Sequence, residues 1–319
     1  MTKSIDAIPT KEEIANAHER ISSFIHRAPV LSNQTMNGLA GAELFFKCEN
    51  FQKVGAFKFR GATNAILQLS EDEKRNGVVT HSSGNHAQAL SLAAKFNGLS
   101  AYIVMPNNAP IPKRKAVAGY GAEIVLCEPT LEAREAAAKK VIERTGAAFI
   151  HPFNDYRVIA GAATAAKELI EDCDNLDYII APVGGGGLLS GTALTAKYFS
   201  PQTKVVGAEP EGANDAFLTF KSGEFVPQNN PNTVCDGLRT SLGDKTFRII
   251  LDHVNDVMTA NDDEIIQAMR LVWERMKIII EPSCAVTLAV VLKNPEIFRD
   301  KRIGLILTGG NVDLEKLPF

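Results

Sequence analysis

Short apolar runs rich in valine, isoleucine and phenylalanine alternate along this chain with longer amphipathic stretches, and that alternation narrows the fold more than any other feature. It is the pattern of parallel strands joined by crossover helices, so the chain reads as an α/β protein. Candidate strands fall at 44–48, 78–81, 101–105, 124–127, 178–183, 204–208 and 303–307, most of them followed by a loop bearing Gly or Pro and then a helix. Ligands of such sheets gather at the carboxyl ends of the strands. The loops that follow the strands are therefore where function is sought.

Residues 77–148 hold a compact series of strand and helix units, with helices near 86–96, 113–119 and 131–144, and read as a small inserted lobe. Residues 1–76 and 149–319 then make the larger lobe, leaving a cleft that closes over a substrate. A length of 319 residues is ample for both. The longest irregular stretch, 221–244, is rich in Pro, Asn and Gly and is expected to wrap the surface near the cleft.

A formal charge of −3 and a pI near 6.1 give no electrostatic case for nucleic acid. Cys48, Cys127, Cys173, Cys235 and Cys284 lie far apart with no C-x-x-C pair, which suggests neither a disulfide framework nor a zinc ribbon. They read as buried thiols in a reducing cytosol. The opening residues Met1-Thr2-Lys3-Ser4-Ile5-Asp6 lack an apolar signal core, and no apolar run is long enough to cross a bilayer. The expectation is a soluble, cytoplasmic protein with no membrane partner.

Lys58 sits in Gly55-Ala56-Phe57-Lys58-Phe59-Arg60-Gly61-Ala62, between two aromatic residues. An amine held there is expected to be partly desolvated, which lowers its pKa and lets it attack a carbonyl and hold it as a Schiff base. The plainer reading is a lysine whose stem covers apolar surface while its head reaches water. The other motifs decide between the two.

Gly184, Gly185, Gly186 and Gly187 follow a candidate strand and lead into Leu188-Leu189-Ser190-Gly191, which reads as the first turn of a helix. Residues without side chains let backbone N–H groups converge on a phosphate, and the helix N-terminus adds partial positive charge. A flexible hinge is the alternative, but four consecutive glycines cost backbone entropy that a hinge does not require. A dinucleotide site also comes into view, because Glu209 ends the next strand near where a ribose-binding acid belongs. That fingerprint fails at its third glycine, where Leu189 or Ser190 stands, and no G-K-[ST] ending makes a triphosphate loop. A monophosphate fits better.

His81-Ser82-Ser83-Gly84-Asn85-His86 forms another strand-to-helix turn, dense in donors, whose expected ligand is a carboxylate. Alternatively, Ser82 or Ser83 simply caps the following helix. The two histidines are wrongly spaced for a shared metal. Thr308-Gly309-Gly310-Asn311 puts a hydroxyl at the carboxyl end of the last strand, where an ordinary turn is the plainer reading. A Schiff-base lysine, a monophosphate cradle and a carboxylate loop together specify pyridoxal phosphate acting on an amino acid.

At this point the chain resembles a known family. Phe57-Lys58-Phe59-Arg60-Gly61-Ala62, Ser82-Ser83-Gly84-Asn85-His86, the four glycines from Gly184 to Gly187, and Gly309-Gly310-Asn311-Val312-Asp313 are similar to the motifs of the serine/threonine dehydratase and serine racemase family, which includes 3-hydroxyaspartate ammonia-lyases. The similarity runs over nearly the whole chain, through Leu271-Val272-Trp273-Glu274-Arg275-Met276-Lys277 and Glu281-Pro282. It implies the two-lobed parallel-sheet fold of the tryptophan-synthase-β-like (type II) pyridoxal-phosphate enzymes. Lys58 then holds the aldehyde and acts as base, with Phe57 beside it. Gly184 to Gly187 and Leu188 hold the phosphate, Asn85 faces the ring oxygen, and Thr308 faces the ring nitrogen. A neutral hydroxyl there, in place of an acid, favours β-elimination over transamination.

The resemblance also implies that Ser82, Ser83, Gly84, Asn85 and His86 meet the substrate. Ser83 is the candidate for proton exchange on the face opposite Lys58. Glu209, Asp215 and the Ala213 carbonyl match a divalent-metal site suited to magnesium, calcium or manganese, although two acids alone also read as a solvated loop. Lys53, Gln88, Tyr120 and Lys277 match positions of an ATP site between subunits, and a homodimer is implied. Arg134, in Glu132-Ala133-Arg134-Glu135, matches an arginine able to face a dicarboxylate, although a solvated helix position is the plainer reading. The expected reaction is dehydration and deamination of L-serine, L-threonine or 3-hydroxyaspartate. Serine or aspartate racemisation is the near alternative, β-replacement a further one, and a non-catalytic dinucleotide- or metabolite-binding protein the distant one.

Overall fold

The computed structural model describes residues 7–109 and 111–319, so residues 1–6, read above for a targeting signal, lie outside the described residues. Among the described residues the strands are β1 (Val30–Leu31), β2 (Glu43–Cys48), β3 (Val78–His81), β4 (Ala101–Pro106), β5 (Glu123–Cys127), β6 (Ala148–Phe149), β7 (Tyr178–Pro182), β8 (Lys204–Pro210), β9 (Asp256–Ala260) and β10 (Arg302–Leu307). They form a six-stranded sheet in the order β1-β2-β10-β7-β8-β9 and a four-stranded sheet in the order β5-β4-β3-β6. Every ladder is parallel except β1 against β2. This is the α/β parallel-sheet architecture expected above.

All seven expected strands are present, with ends displaced by no more than two residues. Three strands were not expected. β1 and β6 have two residues each, too few to carry a period. β9 is an edge strand in which only Val257 and Ala260 are buried, so its apolar signal is weak. β6 also carries the small sheet across residue 148, where the expected lobe boundary fell, because Phe149 pairs with Val79.

Each sheet is covered on both faces, and the side-chain alternation of its strands shows it. In β10, Ile303, Leu305 and Leu307 enter one apolar cluster and Ile306 the other. Helix Pro282–Lys293 packs on the first face of the large sheet, while helices Tyr156–Asp172 and Gly187–Phe199 pack together across the second. In the small sheet Val78 and Ile103 face one cluster and Val79 and Val104 the other.

The helix that begins at Lys58 (Lys58–Leu67) is set hard against Tyr156–Asp172. A Cβ on Gly161 would stand 2.6 Å from the Arg60 carbonyl oxygen, so only glycine permits this crossing. The close approach fixes where Lys58 emerges.

Candidate active site

The carboxyl ends of β3, β7 and β10 open onto one cavity of about 480 Å³. Lys58, the Ser82–His86 loop, the four glycines, Arg134 and Thr308 all line it. The sequence motifs that stand far apart in the chain are thus brought to one place.

Lys58 Nζ donates to the Pro152 carbonyl at 2.9 Å and lies 5.1 Å from the centre of the Phe57 ring. Burial lowers its pKa to about 8, against a smaller opposing pull from Glu281. The expected flanking by two rings is corrected to one. Consecutive helical residues point to different sides, and Phe59 turns into the core, where its ring meets Phe96 edge-on at 6.0 Å.

The glycine turn is a cradle that side chains would fill. A Cβ on Gly185 would lie 2.3 Å from the Phe153 ring. Gly186, the N-cap of helix Gly187–Phe199, has φ +85°, a left-handed conformation that favours glycine. No side chain caps this helix, and Gly187 is already its first residue, one earlier than the sequence suggested. The N–H groups of its first turn have no intrahelical acceptor and stand at the cavity wall, an anion site by construction.

Helix Asn85–Phe96 also starts without a side-chain cap, at Gly84, so the capping alternative for Ser82 and Ser83 is not realised. Ser82 Oγ accepts only the Gly84 N–H, at 3.3 Å. Asn85 Nδ2 donates to both oxygens of Glu281, at 2.9 and 3.2 Å, while its Oδ1 accepts from Asn311 Nδ2 at 2.8 Å. Thr308 is nearly buried, and its carbonyl accepts the Phe57 N–H at 3.0 Å, tying the end of β10 to the residue before Lys58.

Arg134 lies in helix Leu131–Thr145, and its Nε donates to the Thr130 carbonyl at 3.2 Å. Despite its acidic neighbours in sequence, it is half-buried in the cavity wall. His81 is held below its ordinary pKa by burial and then by Arg134. His86 is depressed by burial and Lys58, and His151 falls to about 4 through burial, His81 and Lys58. The cleft therefore presents neutral imidazoles beside Lys58 and Arg134.

Sequence reasoning missed several wall residues. Glu281 is buried, and burial with Asp236 raises its pKa to about 7 against Asn85, Lys113 and Asn311. The signal was an acid directly before Pro282 at the start of a helix. His151 was missed because β6 is too short to be seen, and no signal marked it. Residues 236–243 of the long irregular stretch form a wall of the cavity rather than only its surroundings, with Asp236 ion-paired to Lys113 across the opening.

Glu209 and Asp215 stand together outside the cavity. Glu209 is fully buried and accepts the Ala216 and Phe217 N–H groups at 3.1 and 2.8 Å. Asp215 Oδ1 accepts from Gln228 at 3.0 Å, whereas its buried Oδ2 has no hydrogen-bond partner among the described residues. Burial and then Asp215 raise Glu209 to about 9, and burial raises Asp215 to about 6. Ala213 is buried between them in sequence; among the described residues no group of three or more His, Cys, Asp or Glu side chains is placed to hold a metal. Lys53, Gln88, Tyr120 and Lys277 are not among the residues that line the cavity. Lys53 lies over the Phe96 ring at 4.9 Å, Gln88 is buried in helix Asn85–Phe96, Tyr120 follows helix Ile111–Gly119, and Lys277 ends helix Asp262–Met276 at φ +61°.

A parallel-sheet α/β scaffold that sets a desolvated lysine, an uncapped glycine-lined anion cradle and an array of donors around one cavity defines an enzyme built for an aldehyde cofactor with an anionic tail. The comparisons with known proteins agree. The family model for pyridoxal-phosphate dependent enzymes matches residues 21–309, and the chain belongs to that family. It is 52% identical over 312 residues to the beta-hydroxyaspartate dehydratase of Paracoccus denitrificans, covering 98% of this chain and 99% of that protein. It is 53% identical over 317 residues to the serine racemase of Dictyostelium discoideum, covering 98% and 97%. The crystal structure of that racemase matches with a TM-score of 0.93, covering 97% of this chain and 100% of the other. The fold is that of the type II pyridoxal-phosphate enzymes.

Proposed function

We propose that this pyridoxal-phosphate enzyme dehydrates and deaminates a 3-hydroxy amino acid to a 2-oxo acid and ammonia, and that 3-hydroxyaspartate suits its cleft better than L-serine or L-threonine. The observation that carries the substrate is Arg134, half-buried in the wall of the cavity that Lys58 enters. The similarity to beta-hydroxyaspartate dehydratase supports it.

The residues present fit the cofactor, since a Cβ on Gly185 would run into the Phe153 ring that lines the cavity and the helix behind the turn has no side-chain cap. When bound, pyridoxal phosphate supplies an electron sink that weakens the bonds at the substrate's α-carbon. Gly184 to Gly187 and Leu188 bind the anionic tail through main-chain N–H groups, with Phe57 beside Lys58. Asn85 and the Thr308 hydroxyl, which line the same cavity, would meet the ring oxygen and the ring nitrogen. Ser82, Gly84 and His86, with the open start of helix Asn85–Phe96, orient the substrate's α-carboxylate. The Lys58 amine, brought to about 8 by burial, takes the α-proton. The Arg134 fork binds a β-carboxylate bidentately and turns the 3-hydroxyl toward departure. Residues 77–148 form the lobe that closes over the bound substrate.

Racemisation is the second reading, favoured because Ser83 lines the same cavity as Lys58 and offers a hydroxyl for exchange on a second face of the α-carbon. The similarity to serine racemase points the same way.

Glu209, Asp215 and the Ala213 carbonyl are assigned to a magnesium, calcium or manganese ion. The unpartnered Asp215 Oδ2 and the oxygen-only donor set support that assignment. The reading extends to a cytoplasmic homodimer that binds ATP between its subunits through Lys53, Gln88, Tyr120 and Lys277.

A panel of L-serine, L-threonine and both diastereomers of 3-hydroxyaspartate, assayed for keto acid and for the opposite enantiomer, tests the whole. Keto acid formed fastest from one hydroxyaspartate diastereomer is the expected result. Turnover confined to enantiomer exchange would replace the elimination reading with the racemase one.

A further inference from the structure

Asn85 is held at both ends, and at the Asn311 end the donor and acceptor roles leave no choice. The Val54 carbonyl can only accept, so Asn311 turns its Nδ2 toward it, at 2.8 Å. The same Nδ2 supplies the hydrogen bond to Asn85 Oδ1, also at 2.8 Å. At the other end Asn85 Nδ2 lies 2.9 and 3.2 Å from the two oxygens of Glu281, which also accept the Asn311 main-chain N–H at 3.2 Å. An amide flipped by half a turn would set its oxygen against the Glu281 carboxyl and its NH₂ against the NH₂ of Asn311.

Glu281 is itself fixed. Its main-chain N–H donates to the Gly309 carbonyl at 2.9 Å, it precedes Pro282 at the helix start, and a Cβ on Gly309 would come within 2.9 Å of its Oε1. A carboxyl group with so little exposed surface is costly to keep unless its hydrogen bonds matter.

We propose that Glu281 is a positioning residue that locks the Asn85 amide with its nitrogen end available to the cavity, so that a hydrogen-bond donor rather than an acceptor meets the ring oxygen of the cofactor. One Asn85 Nδ2 hydrogen is shared between the Glu281 oxygens. The other has no protein acceptor among the described residues, and Asn85 lines the cavity. Asn311 completes the lock from the opposite side. The inference rests on the assignment of Asn85 to the ring oxygen made above.

The test uses the holoenzyme and the variants Glu281→Gln and Glu281→Met, each alone and combined with Asn85→Ala. Two quantities are read: the cofactor dissociation constant, by equilibrium dialysis, and the position of the visible absorption band of the bound cofactor. Glu281→Met is expected to weaken cofactor binding about tenfold and to move the band as Asn85→Ala does, the scale of one lost charge-assisted hydrogen bond. Glu281→Gln, which keeps one acceptor oxygen, is expected to shift both less. In the Asn85→Ala background neither substitution adds a further change. Equal shifts in both backgrounds, or none in either, overturn the proposal. If Glu281→Met does not fold, Glu281→Gln carries the same comparison. A holoenzyme in which borohydride fixes no cofactor at Lys58 overturns the functional reading itself, a result separate from either of these.

Discussion

Lys58 Nζ and the main-chain oxygen of Pro152 are joined by a 2.9 Å hydrogen bond, the one acceptor of that amine among the described residues. That single neutral partner holds the amine in place without replacing the hydration an ammonium loses on burial, which is why its pKa falls to about 8 from an ordinary 10.5. Attachment of the aldehyde requires the neutral amine. The rate at which cofactor-free enzyme takes up pyridoxal phosphate, followed by visible absorption, should therefore rise with pH through a midpoint near 8. Stability of the cofactor-free protein follows the same group. The unfolded chain binds the proton more tightly, so the penalty is full below pH 8 and is relieved as pH climbs from 8 toward 10.5. Lys58→Met should accordingly raise stability below pH 8, by up to about 3 kcal/mol. A midpoint at the ordinary lysine value would remove desolvation as the cause.

Arg134 makes a sharper distinction between substrates. Its Nε is engaged by the Thr130 carbonyl, and in the proposed role its two terminal nitrogens turn to a β-carboxylate, an interaction serine cannot make. Arg134→Ala should lower kcat/KM for 3-hydroxyaspartate by about 10- to 100-fold, the scale of charge-assisted hydrogen bonds, and change the value for serine by no more than about threefold. Arg134→Lys should recover only part of the loss, since a point charge lacks the planar fork. Steady-state kinetics on both substrates decide the matter; equal proportional losses would return Arg134 to the solvated face.

The sheets and the cleft were legible in the sequence for different reasons. β10 and β7 are buried on both faces, so their apolar runs are unbroken and flanked by glycine. The Lys58, Ser83 and glycine motifs each follow or face such a strand, which is why short local patterns located them. Glu281 and His151 are another matter. Glu281 owes its place to Asn85 and Asn311, which are distant in sequence, and its only local mark is the proline that follows it, while His151 sits in a loop whose Phe153 and Asn154 N–H groups it accepts and carries no local mark of a site. The course of residues 236–243 is likewise set by contacts it does not encode alone. Gly237 donates to Ser283 Oγ at 3.0 Å, and its carbonyl lies against Gly184. Local chemistry announced the groups that bind a phosphate or an aldehyde, while the groups that orient them became visible only through tertiary contact.

Glu209 and Asp215 set two buried carboxyl groups side by side, with one oxygen lacking a hydrogen-bond partner among the described residues, and the divalent cation proposed for them makes a prediction. Adding magnesium or calcium to chelator-treated protein should raise the melting temperature by several degrees, because a ligand at one hundred times its dissociation constant contributes about 2.7 kcal/mol. Glu209→Gln and Asp215→Asn should each abolish the cation-dependent rise while leaving the fold intact. Differential scanning calorimetry with and without the cation reads this directly. A melting temperature indifferent to both ions would leave the two acids as a coupled carboxyl pair in which Glu209 keeps its proton.

Arg60, two residues beyond Lys58, anchors the catalytic helix through charge rather than apolar packing alone. Its guanidinium is fully buried, with Nε and Nη2 on the two oxygens of Glu49 at 2.8 Å each and Nη1 and Nη2 on those of Glu168 at 2.8 and 2.7 Å. Lys47, also fully buried, adds a 2.8 Å contact to Glu168. Burial pushes the Glu168 carboxyl up, but His18, Arg60 and Lys47 together pull it well below the ordinary range. Two planar forks thus clamp one guanidinium between the turn after β2 and helix Tyr156–Asp172. Removing it would leave Glu49 buried without its cation and Glu168 with only Lys47 and His18, a loss that typically costs about 3–5 kcal/mol. Arg60→Met should therefore destabilise by that amount. Arg60→Lys should recover less than half, because an ammonium cannot satisfy four oxygens in two planes. The network lies behind the Lys58 helix and not in the cavity, so the loss should appear first in denaturant midpoints. Whatever Arg60→Lys protein remains folded should still take up cofactor and keep its substrate preference. A variant that melts normally but fails to bind cofactor would mean that Arg60 acts on the site directly rather than through the helix it holds.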